Sequence, residues 1–296
     1  LEVAWEGTPT LLDGVWTGRI TISELATDVV LLAGDGNGHA VSSNAFDLIT
    51  AVVGRHVFYN NSAWDADDPA ANKADDDAIA LDKQALRPGQ TATFANYTSY
   101  ARGLNGIMVD IAGLANSASL NARDDFKFAL GNNQNLGTWA AAPDPSQVVV
   151  RRGAGEQGSD RVTILWEDNA IEKQWLQVTV LATENTGLAE PDVFYFGNTI
   201  GESGDQLVNA IVNATDEIGT RNFQHSPLNP AAIDDPYDFN RDQLVNGTDR
   251  ILAQPNEPAD VAEADHGARG GSPPEAERHV GVEEHLDRFG RSGLAA

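Results

Sequence analysis

The chain has 296 residues, 41% of them hydrophobic and 21% charged, a length that suits one large domain or two to three small ones. Nineteen Lys and Arg stand against 44 Asp and Glu, and the net charge of -25 argues against partners that present phosphates, whether nucleic acids or anionic membrane surfaces. There is no cysteine, which excludes disulfides, thiol nucleophiles and cysteine-ligated metals, and no apolar run approaches the roughly 18 residues of a membrane span. Six Trp and ten Phe argue against wholesale disorder. The chain starts at Leu1 and carries one methionine, Met108, so it reads as a piece of a longer polypeptide.

Residues 1–49 carry β patterns. Val15–Ile22 alternates apolar and polar residues, Val29–Ala33 is a short apolar strand, and Gly34-Asp35-Gly36-Asn37-Gly38 turns it into a return strand, His39–Phe46. The segment resembles the last strands of an immunoglobulin-like repeat of large bacterial surface proteins, which implies a partial unit, since such a sandwich needs about seven strands. Residues 51–196 form the main body. Strands are expected at Arg55–Tyr59, Gln90–Tyr97, Gly106–Ile111, Asp125–Leu130, Gln147–Arg151, Arg161–Trp166, Trp175–Ala182 and Asp192–Phe196, separated by Gly, Pro and Asn turns. So many strands with few helical patterns predict a mainly β fold, a β-sandwich of jelly-roll or immunoglobulin-like type. Trp139, Trp166 and Trp175 are read as core or sheet-face residues, with a sugar-stacking platform as the alternative.

Within that body, Trp64–Asp77 is dense in Asp and Asn. Hard oxygen donors suit Ca²⁺, which takes roughly six to eight of them, but the spacing matches no defined calcium loop, and a solvated acidic loop entering a short helix, Asp75–Leu81, is the favoured reading. Composition points the same two ways. A cysteine-free, acidic, Gly-rich chain suits an exported bacterial protein stabilised by calcium, or an ordinary acidic cytosolic one.

Residues 197–256 hold the most specific pattern. Asp238-Phe239-Asn240-Arg241-Asp242-Gln243-Leu244-Val245-Asn246-Gly247-Thr248-Asp249 places oxygen side chains at loop positions 1, 3, 5, 9 and 12, with Leu244 offering its carbonyl at position 7. That is the EF-hand spacing, in which a curled loop converges its odd-numbered side chains on one cation. The metal ligands expected here are Asp238, Asn240, Asp242, Leu244, Asn246 and Asp249. Position 6 is Gln243 rather than Gly, and position 12 is Asp rather than Glu, both of which weaken binding. Val245, at position 8, should anchor the loop to a core.

An echo lies 33 residues upstream, where Val212-Asn213-Ala214-Thr215-Asp216-Glu217-Ile218 parallels Val245-Asn246-Gly247-Thr248-Asp249-Arg250-Ile251. These paired loops resemble a dockerin of type I-like character, two calcium loop–helix repeats at the C-terminal end of an extracellular protein. Counting back from Asp216 puts Asp205 at position 1 and Asn209 at position 5, but Leu207 at position 3, which has no ligating side chain. Alternatively, Gly197 to Glu202 opens the first loop, with Asn198 and Glu202 as ligands, and an insertion separates it from Asn213 and Asp216; the matching placement of Phe196-Gly197-Asn198 and Pro236-Tyr237-Asp238 favours the insertion. The resemblance implies Ca²⁺ as cofactor and a cohesin-like or other surface protein as partner. It assigns that contact to loop positions 10 and 11, here Ala214, Thr215, Gly247 and Thr248. It also implies a secreted or cell-surface location.

Residues 257–296 change composition again, with Gly270-Gly271-Ser272-Pro273-Pro274 in their midst, and read as a flexible tail. No zinc-protease helix, nucleophile elbow, P-loop or dinucleotide fingerprint occurs. Glu167 and Glu172 read as turn charges, and His56 and His225 have no partner evident in the sequence. The expected function is non-catalytic docking or assembly; the alternative is a carbohydrate-active protein carrying a dockerin.

Overall fold

A computed structural model describes residues 3–5, 18, 20–22, 25–34, 37–206 and 209–254. The 257–296 tail lies outside the described residues, as do Asp35 and Gly36 of the first turn and most of the strand expected at 15–22.

The N-terminal strands are short. β1 (Val3–Trp5) pairs antiparallel with β2 (Ile20–Ile22), β3 (Ala26–Val29) with β6 (Phe46–Leu48), and β4 (Leu32–Gly34) with β5 (Ala40–Ser42). The two expected strands at 29–33 and 39–46 are thus each divided. Leu32, Val41 and Phe46 are exposed, so β4, β5 and β6 send large apolar side chains to the surface.

From residue 51 the chain builds two sheets. One has the order β12-β13-β9-β7, made of Gln147–Arg151, Asp160–Leu165, Gly106–Ala112 and β7 (Ala51–Val57). The other has the order β11-β10-β14-β15-β8, made of Ala140–Ala141, Phe126–Gly131, Trp175–Val180, Asp192–Asn198 and β8 (Tyr97–Thr98). Every pairing is antiparallel except β15 with β8. Both sheets face one core: Val57, Ile107, Val109, Ile111, Val162 and Ile164 from the first meet Phe126, Leu176, Val178, Val180, Phe194 and Phe196 from the second. The fold is therefore mainly β.

β9 is buried on both faces, which explains its run of apolar residues, broken only by the buried Asp110. Its outward Met108 packs with Phe58, Ala78 and Leu165 under a 3₁₀ turn at Ala74–Ala78. That turn occupies the place of the expected 75–81 helix. The strand expected over Gln90–Tyr97 is almost absent. Thr93 and Asn96 cap each other across a 3₁₀ turn, with the Thr93 amide donating to Asn96 Oδ1 at 2.8 Å, and only Tyr97–Thr98 reaches the sheet. A side chain that satisfies nearby backbone competes with the ladder, and here it wins.

α1 (Ala122–Asp125) is a single turn before β10. Past β15, α2 (Ala214–Asn222) and α3 (Gly247–Leu252) form the C-terminal unit. Glu217 and Arg250 bridge the two helices at 2.8 Å. Tyr237 stacks on Phe223 and lies over Gly219, where a Cβ would come within 2.5 Å of the ring.

Candidate metal centre

Both helices start in the same way. Asn213 and Asn246 cap them, each accepting the amide two residues on (Thr215 and Thr248) at 2.8 Å. Asp216 and Asp249 close the capping boxes, accepting the amides of Asn213 at 2.8 Å and Asn246 at 3.0 Å. The other oxygen of each reaches across its loop, Asp216 to the Ser203 amide and Asp249 to the Phe239 amide, both at 2.9 Å. Asp216 and Asp249 are therefore equivalent, and so are the residues before Ser203 and Phe239, which are Glu202 and Asp238. Fourteen positions separate Glu202 from Asp216 and eleven separate Asp238 from Asp249, so the first loop carries three more residues.

A shorter repeat marks where they lie. Asp205-Gln206-Leu207-Val208-Asn209 is identical to Asp242-Gln243-Leu244-Val245-Asn246, a signal the 33-residue echo does not contain. It makes Asp205 the counterpart of Asp242, so the first loop is one residue shorter before this repeat and four longer between Asn209 and Asp216. Leu207 itself lies outside the described residues.

Glu202, Asp205 and Asp216 each bring one carboxylate oxygen within 4.8 Å of the other two. Glu202 is fully buried, and its Oε2 has no hydrogen-bond partner. Burial first, and the Asp216 charge second, push its carboxyl up to about 8. Asp205 accepts Asn213 Nδ2 at 3.3 Å, and Asn209 Oδ1 takes the Ile211 amide. Asn198 stands apart at the end of β15. It donates to Thr98 and Tyr100 and accepts the Lys173 amide, so its polar atoms tie the sheet to its loops.

In the second loop, Asp238 accepts the amides of Asp242 and Gln243 at 3.2 and 2.9 Å, which is how position 1 holds the curl. Asp242 is drawn to Asn240 Nδ2 and the Leu244 amide, both at 2.9 Å. Burial raises Asp238 to about 7, with Arg241 opposing and Asp249 and Asp242 adding to the shift. Asp249 is also raised by burial, against the three amides it accepts. Val245 is buried, as a position-8 anchor should be, and bridges to His225. The donors in both loops are carboxylate, amide and carbonyl oxygens, a set suited to a hard cation. An orphaned buried oxygen such as Glu202 Oε2 is the kind of group such an ion satisfies.

Ala214, Thr215, Gly247 and Thr248 are all exposed, on the first turns of α2 and α3. Beside them Ile218 and Ile251 are 46% and 67% exposed.

A second triad, His56, Asp110 and Glu156, satisfies the same distance criterion. Arg161 grips both Asp110 oxygens at 2.8 and 2.7 Å, and the Glu156 amide adds a third donor. Burial pushes Asp110 up, but these donors and His56 outweigh it and hold the carboxyl well below the usual range. This is an ion-paired network. It extends through Asp76, which Arg161 and Arg151 share, and it supplies the partners of His56. His225 pairs with Asp235 at 3.2 Å.

The 64–77 run is only partly solvated. Asp65 and Asp75 are buried; Asp65 accepts the Asn61 and Ser62 amides, while burial raises Asp75 to about 6. The three tryptophans share no face. Trp166 lies in the main core and donates to Pro143 O, whereas Trp139 and Trp175 pack with Tyr195 and Tyr97 on the far side of the second sheet. No family model, curated protein or solved structure matches this chain.

Proposed function

We propose that the chain is a non-catalytic, calcium-binding assembly module of a secreted or cell-surface bacterial protein. Its mainly β body carries a dockerin-like C-terminal unit for a cohesin-like or other protein partner. The observation that carries this reading is the matched wiring of the two loops: Asp216 and Asp249 make the same pair of hydrogen bonds, each beside one other buried carboxylate, Glu202 or Asp238. Like charges gathered in a dry site are costly unless a cation joins them. Calcium in the second site uses Asp238, Asn240, Asp242, the Leu244 carbonyl, Asn246 and Asp249. In the first, Glu202, Asp205, Asn213 and Asp216 are its residues. The exposed Thr215 and Thr248, flanked by Ile218 and Ile251, offer a quasi-twofold face to a partner. The three tryptophans form no common row for the carbohydrate-active alternative, since Trp166 lies in the core while Trp139 and Trp175 pack on the far side of the second sheet.

Titration calorimetry tests the metal reading. Two calcium ions per chain are expected, with Asp216→Ala and Asp249→Ala each removing one. Calcium at a hundred times Kd should stabilise the fold by about 2.7 kcal/mol. An unchanged melting transition would defeat it. Changing both Thr215 and Thr248 to Asp should abolish recovery of a partner from surface extract and leave calcium affinity intact, since neither side chain is a ligand. Equal recovery by parent and variant rejects docking through this face, and release of reducing sugar from a glycan panel restores the enzyme reading.

A further inference from the structure

The odd and even positions of the second loop face different ways. Positions 1, 3 and 5, Asp238, Asn240 and Asp242, bond one another and the loop's own amides, while positions 2 and 4, Phe239 and Arg241, enter the two-sheet body. Phe239 is fully buried, and its carbonyl accepts the Ala101 amide at 2.7 Å. Arg241 is 2% exposed. Its guanidinium lies 4.3 Å from the Tyr59 ring centroid and donates to Tyr59 Oη at 3.1 Å, and its carbonyl accepts the Ala63 amide at 3.1 Å. A second guanidinium nitrogen donates to Asp235 O at 2.6 Å. Arg241 has φ +56, a left-handed conformation that an L residue keeps only where its surroundings hold it.

From this geometry we propose that filling the second loop latches the C-terminal unit onto the body, so that calcium fixes the 59–63 and 100–101 segments more than 130 residues away in sequence. The inference rests on the calcium reading above. One backbone curl does both tasks. With no cation, repulsion among Asp238, Asp242 and Asp249 weakens the curl, which loosens the seating of Phe239 and Arg241. With the cation bound, their carbonyls stay fixed for Ala101 and Ala63. The coupling is reciprocal, so contacts made by Tyr59 must in turn tighten calcium.

Hydrogen exchange on the full chain, with calcium and with chelator, tests this directly. The Ala63 and Ala101 amides should exchange at least about tenfold more slowly with calcium. Tyr59→Leu, read in the Asp216→Ala background, should bind calcium at the second loop about tenfold more weakly although no ligand has changed. Tyr59→Phe, which removes only the hydroxyl, should show a smaller loss in the same direction and guards against a misfolded leucine variant. If the parent binds two calcium ions while both amides exchange equally in calcium and chelator, the latch is wrong and the calcium reading stands. If the parent binds none, both fall.

Discussion

Gln243 sits at φ +67, in the left-handed region, at the loop position where the EF-hand pattern places Gly. A side chain there costs about 1 kcal/mol. Gln243→Gly should therefore tighten calcium several-fold while keeping the amide that Asp238 accepts, and weaker binding in a titration would contradict the register. Glu202 and Asp238 set the pH response. Their carboxyls stand at about 8 and about 7 in the folded chain, against ordinary values of 4.5 and 3.8. Between those limits the calcium-free folded chain holds protons that the unfolded chain has released, so its stability falls as pH rises. In chelator the melting temperature should be lower at pH 8 than at pH 5, and saturating calcium should narrow the gap to the share left by Asp75, which lies outside both loops and is raised to about 6. A calcium-free melting temperature that rises over that range would show that these carboxyls are not held protonated.

At the level of strands, the charged ladder on β9 and β13 is the feature most exposed to single changes. Arg161→Leu strands a fully buried Asp110, which should cost about 3–5 kcal/mol. Adding Asp110→Leu should recover part of that loss in denaturant unfolding; a double variant no more stable than the single one would show that the stranded carboxylate is not the cause. The sequence made these strands legible through their apolar runs, and seven of the eight strands expected in the body appear within a few residues. It hid the ladder, because 51 residues separate Asp110 from Arg161 and nothing local marks the pair. It misled at Gln90–Tyr97, where the Thr93–Asn96 cap outcompetes strand pairing. The curl of the second loop, with Asp238 and Asp249 accepting its amides, follows from a fixed local spacing that the sequence displays. The first loop could not be read this way, since its extra residues break that spacing and only the recovered wiring of Asp216 restores it.

Across the whole molecule, the two ends of the C-terminal unit meet. Gly201, at φ +84 just after β15, lies so close to the end of α3 that a Cβ would stand 2.3 Å from Leu252 O. Gly201→Ala should therefore destabilise the unit by about 2–4 kcal/mol, because a backbone carbonyl cannot move aside as a side-chain tip can. Chemical denaturation checks this; a cost under about 1 kcal/mol would mean that the two ends slide freely. That junction also decides how a pull would travel. Tension applied between the sheets and Gln254 would reach the Gly201–Leu252 contact before the helices and loops between them, and would pass into those once the contact parts. The segment between them is thus a closed ring hung beside that contact, and if it holds calcium as proposed, the loops that would carry the ion lie outside the first path of the load.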